Sequence, residues 1–446
     1  MSAMAEGFSN PIVEAGVVGL RTMFAARAVT PVEATETYMW RIARLNPALG
    51  AVTDVDAPGA RAGARASAAR WTKGLPLSPI DGVPVLVKAN IAITGLPWTA
   101  GIGAYRHRIA QVDAEVVARL RRAGAVILGS VNMHEGALGA TTDNPWFGRT
   151  QNPHREGFTP GGSSGGSGAA AAAGLCAAAL GTDTMGSVRI PSAYCGIFGH
   201  KPGYGAVSDA GATALSWTLD HIGPHARSAA DCAAMLHEIA DVAKDAAVEG
   251  VVGVLAFEGQ VEVAPEVADA FADTLARART LGLKIEIVRL SDYDFGRMRR
   301  LGLLVSEAEG FVVHQAMLAD HPEGFSETFR GMLDWGGRQP AHKLANAYRE
   351  IALAGSAVRA IFAPYAAILM PTAPQTAFAF GDAPANQADF TAIANFTGLP
   401  ATAFPVGMTS AGLPLSCQVI ARNEATALGL AERLAVSVGA PAGYRG

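Results

Sequence analysis

Two glycine-dense turns carry serines of a kind that could do nucleophilic chemistry. The first reads Gly-Gly-Ser-Ser-Gly-Gly-Ser over residues 161–167; the second reads Gly-Thr-Asp-Thr-Met-Gly-Ser-Val-Arg-Ile-Pro-Ser over 181–192. Glycine lets backbone N–H groups approach a reacting atom closely. A serine among such amides has donors at hand for an oxyanion as it forms. On this reading the stretch from Gly161 to Tyr204 is the active site of a hydrolase, with Ser187 as its nucleophile.

Three other readings of the same turns are weaker. A flexible Gly/Ser linker should separate two independently patterned regions, but this one runs into the alanine-rich segment 169–179, whose small side chains suit a helix packed under a sheet. Gly162-Ser-Ser164-Gly-Gly166 formally fits G-x-S-x-G, which would make Ser164 the nucleophile, yet that elbow needs a strand before it. The preceding Gln151-Asn-Pro-His-Arg-Glu-Gly-Phe-Thr-Pro reads as loop. A phosphate cradle lacks the Gly-Lys-Ser/Thr ending and the acidic residue of a dinucleotide site.

The elements that must position these turns alternate along the chain. Asn10-Pro11 and Thr30-Pro31 pair a helix cap with proline at the first helical position, predicting helices over 11–26 and 31–45, the second ending near Asn46-Pro47. A strand over 48–55 and a helix over 57–73 follow. After the Asp81-Gly-Val-Pro turn, residues 85–91 are strand formers interrupted by the cation Lys88. Asp113 is expected to cap a helix to Ala123, ahead of a strand over 125–129. Strands over 251–256 and 283–290 flank a helix over 265–281; later come a helix near 341–362, strands over 367–370, 401–406 and 415–421, and a helix over 424–437. Interleaving of this kind predicts an α/β layered domain with a mixed sheet. Residues 296–340, with Met298, Met317, Met332, Phe311, Phe325, Phe329 and Trp335, read either as core helices or as a helical cover over an apolar pocket.

Bulk properties narrow the classes. The chain has 446 residues, 50% hydrophobic and 17% charged, with a net charge of −4, which gives no electrostatic reason to expect nucleic acid or an anionic membrane. Cys176, Cys195, Cys232 and Cys417 are scattered, without metal spacing, as expected of buried thiols in a reducing compartment. The first ten residues show no leader pattern, and the most apolar segment, 168–180, falls short of the roughly 20 residues a bilayer needs. A soluble, cytoplasmic protein is expected.

With Lys88 and both serine turns in hand, the sequence resembles the amidase signature family of serine hydrolases. Further stretches carry the likeness: Asp81 to Asn90, Gly129-Ser-Val-Asn-Met-His-Glu, Asp220-His-Ile-Gly-Pro-His-Ala-Arg-Ser, Met370-Pro-Thr-Ala-Pro, Asn395-Phe-Thr-Gly-Leu-Pro-Ala and Gly412-Leu-Pro-Leu-Ser-Cys-Gln. It spans roughly 10–440. The resemblance implies the amidase signature fold: a large mixed central β-sheet covered by helices on both faces (α/β/α). It implies a single domain over 1–446, with an N-terminal helical region at 11–75, the signature core at 78–228 and the helical cover at 296–340.

The resemblance also implies a catalytic unit of Lys88, Ser163 and Ser187. Ser163 would follow a cis peptide and relay the proton from Ser187 to Lys88. Lysine serves as a base only if neutral, and burial disfavours its cation; Val85, Leu86, Val87 and Ile91 supply apolar surroundings. Backbone N–H groups of Thr184, Met185, Gly186 and Ser187 would hold the oxyanion, with Ser164, Asp183 and Arg189 in support. Met185 departs from the glycine found in many relatives, which puts any one relative's substrate in doubt. Nearby His107, His134, His154, His200, His221 and His225 read as structural. The implied function is an amidase acting on small or aryl amides, with carbamates included because their cleavage needs the same attack. The alternative is the A component of a glutamyl-tRNA amidotransferase, a glutaminase with protein partners; Ile190 stands where those proteins tend to carry glutamine. No metal or cofactor is implied, and a homodimer is admitted without any residue pattern that fixes the oligomeric state.

Overall fold

The computed structural model describes residues 10–243, 250–382, 384–438 and 441; the segment read above for a leader lies outside this range. Local signals act early in the chain. Asn10 Oδ1 accepts from the Ile12 N–H at 3.0 Å, and Thr30 with Glu33 forms a reciprocal capping box ahead of the helix Pro31–Leu49. The first expected helix is broken in two, Pro11–Glu14 and Gly16–Ala25. The cause is tertiary: Asp231 Oδ1 takes the Val18 N–H at 2.8 Å, and its carboxylate occupies the space beside Gly16. The second helix runs past Pro47 to Leu49. There Asn46 Oδ1 accepts from the N–H groups of Ala51 and Val52, turning the chain into a strand.

The strands in chain order are β1 Val52–Val55, β2 Pro84–Lys88, β3 Val126–Val131, β4 Asp143–Asn144, β5 Gly148–Arg149, β6 Ala178–Asp183, β7 Phe198–Lys201, β8 His221–Ala226, β9 Val252–Ala256, β10 Ile285–Arg289, β11 Ala367–Pro371, β12 Ala401–Met408 and β13 Pro414–Ala421. Apart from the β4–β5 ribbon, they form one sheet in the order β1-β3-β2-β6-β8-β7-β12-β13-β11-β9-β10. It is mixed: β2 runs parallel to both β3 and β6, β9 to both β10 and β11, and the remaining pairs are antiparallel. The region 11–75 is therefore not wholly helical, because β1 extends the sheet by pairing with β3.

Two expectations change, and two strands are new. The alanine-rich run is helical only over Gly165–Ala172; Gly174 then adopts φ +66°, and the second half becomes β6. Arg41 and Arg227 fix that switch, donating to the carbonyls of Ala171, Ala173, Gly174 and Cys176. Asp113 caps nothing, since the helix Glu115–Arg122 begins after Ala114; its carboxylate takes the Thr94 N–H and Arg121 instead. Strands β7 and β8 carry no period-two signal, and the sequence does not predict them. Among the described residues no helix is long and apolar enough to cross a membrane.

The turn that feeds β2 hangs on Asp81. Fully buried, it receives Arg70 through two bonds of 2.8 and 2.6 Å and the Leu77 N–H at 2.8 Å. Asp81→Ala would strip these donors of their acceptor while Arg70 keeps some solvent. We expect a loss of about 2–3 kcal/mol, read as a lower denaturant midpoint at unchanged slope; an unmoved midpoint would show that the pair holds nothing.

Candidate active site

Lys88 ends β2 and Asp183 ends its parallel neighbour β6, so both lie at the carboxyl edge of the sheet, where open α/β sheets bind ligands. Lys88 is fully buried. Its Nζ donates to Ser163 Oγ at 2.8 Å and to Thr182 Oγ1 at 2.7 Å. Burial pulls its ammonium down to about 7, while the carboxylates of Asp220 and Asp183 act in the opposite direction. Asn90 Nδ2 also reaches Thr182 Oγ1, at 3.2 Å. Sequence reasoning missed Thr182, and only its place on β6 beside Lys88 reveals it.

The Gly162–Ser163 peptide is cis. Ser164, the alternative nucleophile, is buried, and its hydroxyl donates to the Thr182 carbonyl at 3.0 Å while accepting the Thr182 N–H at 3.2 Å. It fastens the first serine turn to β6. Ser187 is half-buried and lines a cavity together with Gly162. Its carbonyl accepts the Ser164 N–H at 3.3 Å, which lays the two turns against each other. The structure thus makes the Lys88–Ser163 hydrogen bond; among the described residues the Ser187 hydroxyl makes none with Ser163.

The second turn is built around one carboxylate. Asp183 and Arg189 are both fully buried and meet in a two-pronged pair of 2.9 and 3.1 Å. Burial alone would raise the Asp183 carboxyl, but Arg189, with help from Asn395, holds it well below the usual carboxylate range. Asp183 then takes the N–H groups of Gly186, at 2.7 Å, and Val188, at 3.1 Å. This corrects one expectation. The Gly186 amide is spent inside the turn, so Thr184, Met185 and Ser187 are left as oxyanion candidates, and these three line the cavity. Gly186 serves by its backbone instead: φ is +133°, and a side chain would strike Thr391.

Arg189 spends its other donors on the Thr391 carbonyl, Gln418 Oε1 and Asn395 Oδ1. Asn395 and Gln418 belong to the late sequence stretches quoted above; their work is to hold this turn. His225 bonds Ser192, and burial pushes its ring down to about 3. His134 is likewise pushed by burial to about 4. Asp220 accepts from Thr184 Oγ1 at 2.6 Å and from the Leu215 and Ser216 N–H groups, and burial raises it to about 6.

Helix Phe295–Asp320 lines one side of the cavity, and helix Glu327–Gly337 packs against that helix without reaching the lining. Both readings of 296–340 apply: Met298, Phe325 and Phe329 are core, whereas Arg299, Leu303 and Ser306 line the cavity. Buried Glu309 bolts the 215–220 loop to this cover, accepting from Ser216, Thr218 and, at 2.8 Å, Tyr348. The cavity measures about 130 Å³. Sequence reasoning missed its walls at 137–140 and 385–388, which carry no chemical signature. Met185 lies across Gly302, its sulfur filling the space that a Cβ there would need. Among the described residues no cluster of metal-ligating side chains occurs.

Comparison with known proteins identifies the family. The amidase family profile matches residues 33–427. The chain belongs to the amidase signature family. Its members are enzymes acting on carbon–nitrogen bonds, and this chain is one by descent. The A component of the glutamyl-tRNA(Gln) amidotransferase from Anaeromyxobacter dehalogenans is 34% identical over 97% of this chain and 98% of its own length. The Roseiflexus castenholzii protein of the same name is 46% identical, but over only 52% of this chain and 47% of its own. Among solved structures, an amidase superimposes with a TM-score of 0.86 at 29% identity, covering 94% of this chain and 99% of that one. The A component of the Thermotoga maritima glutamyl-tRNA(Gln) amidotransferase gives 0.75 at 28% identity over 92% and 91%.

The fit of Met185 to Gly302 is testable. Gly302→Ala should overpack the contact and cost about 1–3 kcal/mol. Adding Met185→Ala should relieve part of that cost, the remainder staying with the Phe396 ring, which a Cβ at 302 would meet at 2.8 Å. Strictly additive losses in denaturation midpoints would show that the two residues are independent.

Proposed function

We propose that this amidase-family enzyme hydrolyses amides of small acyl groups through an acyl-enzyme on Ser187. The observation that carries the proposal is the buried Lys88 amine, poised near neutrality and already bonded to the Ser163 hydroxyl. In the reaction, the Ser187 hydroxyl closes on Ser163 as substrate enters; catalytic hydrogen bonds commonly tighten only in the complex. Ser187 Oγ attacks the carbonyl carbon, its proton passes by way of Ser163 to Lys88, and the tetrahedral oxyanion meets the N–H groups of Met185, Ser187 and Thr184. Lys88 then returns the proton through Ser163 to the leaving nitrogen, the C–N bond breaks, and water repeats the sequence on the ester. Aryl amides and carbamates place the same carbonyl and leaving nitrogen against these groups.

A second reading has a specific warrant. Curated relatives that align almost end to end are amidotransferase A components, which favours a glutaminase working with protein partners. The higher superposition score against a solved amidase and Ile190 in the nucleophile turn favour the first. Purified alone, the chain is expected to cleave simple anilides; glutaminase activity that appears only with a co-purifying protein would move the assignment to the second reading.

Two measurements test the chemistry. Lys88→Met and Ser187→Ala should each lower kcat on the order of 10⁴-fold or more, and a fluorophosphonate should label Ser187; label on Ser164 would defeat the assignment. The pH dependence has a fixed sign. The base must be unprotonated, so with Lys88 near 7 kcat/KM on a neutral substrate should fall tenfold per pH unit below about 7 and level off above it. Asp220 holds the Lys88 ammonium up, so Asp220→Asn should move this limb to lower pH. A profile flat from pH 5 to 9 would remove Lys88 from the role of base.

A further inference from the structure

Glu309 is a buried carboxylate that takes no part in the proton path. It sits on helix Phe295–Asp320, is 1% exposed, and acts only as an acceptor. Its Oε2 takes Ser216 Oγ at 2.5 Å and the Thr218 N–H at 3.2 Å. Its Oε1 takes Thr218 Oγ1 and, at 2.8 Å, the Tyr348 hydroxyl. A carboxylate can stay out of water only when it is bonded in this way, and stripping its partners strands the charge. The turn from Ser216 to Thr218 is therefore held against the helix by two of its three residues.

The same turn holds Asp220. Its Oδ2 accepts the Leu215 N–H at 2.8 Å and the Ser216 N–H at 3.1 Å, while Oδ1 takes Thr184 Oγ1 at 2.6 Å. Ser216 thus joins two carboxylates, giving its hydroxyl to Glu309 and its amide to Asp220. Its carbonyl accepts the N–H groups of Leu219 and Asp220, which closes the turn on itself. Asp220 acts on the site at two points: it bonds Thr184, and it favours the Lys88 ammonium more strongly than Asp183 does. The other titratable neighbours of Lys88, His134 and His225, are held neutral by burial. Among the described residues Glu309 bonds neither Lys88 nor Thr184, so its reach to them runs through the turn and Asp220.

Resting on the acyl-enzyme reading above, we propose that Glu309 is a positioning residue for the reaction: by clamping the 216–218 turn it keeps the Leu215 and Ser216 N–H groups on Asp220, and so keeps Asp220 ionised beside Lys88 and bonded to Thr184. Burial already raises the Asp220 carboxyl to about 6, and those two amides are among the groups that hold it down. Without them the proton stays on Asp220 at neutral pH. Its pull on the Lys88 ammonium is then lost, and the protonated carboxyl is a poorer acceptor for Thr184. The sign is fixed. With less negative charge beside it, Lys88 gives up its proton at lower pH, so the acid limb of kcat/KM moves down. The plateau above the limb falls too, because the turn that begins at Thr184 is held less firmly.

The test is the pH profile of kcat/KM on a neutral anilide, with the full chain, for Glu309→Leu, Asp220→Asn and the double variant. A neighbouring opposite charge moves a pKa by about 1–3 units, so Asp220→Asn should carry the limb down by about one unit or more and Glu309→Leu by about half a unit. In the double variant the limb should stay where Asp220→Asn alone puts it. Ser216→Ala removes one bond to Glu309 and keeps the Ser216 N–H on Asp220, so it should shift the limb the same way by less. Fluorophosphonate labelling of Ser187 measures how much of each variant is folded. If Glu309→Leu labels at Ser187 with its limb at the wild-type pH, or shifts the limb as far in the Asp220→Asn background as in the wild type, Glu309 is a support and nothing more. This proposal then falls while the acyl-enzyme reading stands. Should Glu309→Leu not fold, an unmoved limb in Ser216→Ala overturns the proposal in the same way. A wild-type protein that fails to label at Ser187 ends both.

Discussion

The fully buried pair of Asp183 and Arg189 is the contact on which the rest of the site depends. Two charges taken out of water are tolerated only when every lone pair and N–H finds a partner. That requirement draws in groups from far along the chain: Thr391, Asn395 and Gln418 complete Arg189, while the Gly186 and Val188 amides complete Asp183. The 184–188 turn is the part left over once these demands are met. Its shape follows from satisfying the pair, and the carboxylate leaves the amides at 184, 185 and 187 unused.

Lys88 shows how position on the sheet sets a lysine's character. Lys201 is equally buried and is likewise pulled down to about 7 by burial, with Arg189 adding to the effect. The difference lies in the partners. Lys201 Nζ donates to the Pro202 carbonyl at 2.6 Å, a dead end for a proton, whereas Lys88 faces two hydroxyls that can both give and take one. Depressed basicity is thus common to both lysines, and what separates them is that Lys88 is bonded to hydroxyls and Lys201 to a carbonyl.

Much of the fold was legible because its outer elements follow local rules. Caps at Asn10 and Thr30 and the alternation of helix and strand from 251 to 290 needed no tertiary information. The centre was harder to read for the opposite reason. Strands β7 and β8, Phe-Gly-His-Lys and His-Ile-Gly-Pro-His-Ala, are buried on both faces and hold polar side chains whose partners lie in other segments, so neither alternation nor β-propensity marks them. The alanine run misled through propensity, since a slot between β2 and β8 outweighs the helical preference of alanine. At the site, residue types singled out Ser187 in its glycine turn, and it was the family resemblance that grouped it with Lys88 and Ser163. Thr182 and the walls at 137–140 and 385–388 stayed hidden, because their roles come from where they sit and not from what they are.

One consequence follows from where the parts are anchored. Lys88 and its hydroxyl partner Thr182 sit on adjacent parallel strands, whose separation is fixed by the ladder between Val87 and Leu180. Much of the cavity wall comes instead from helices and loops laid over the sheet's edge: Leu303 and Ser306 from one helix, Gln387 and Ala388 from a distant connection. Glu309 aside, chemistry and recognition are therefore inherited separately. Drift in the overlying segments can retool the diet of such an enzyme without disturbing its machinery, which is the kind of freedom that lets one scaffold populate many metabolic niches.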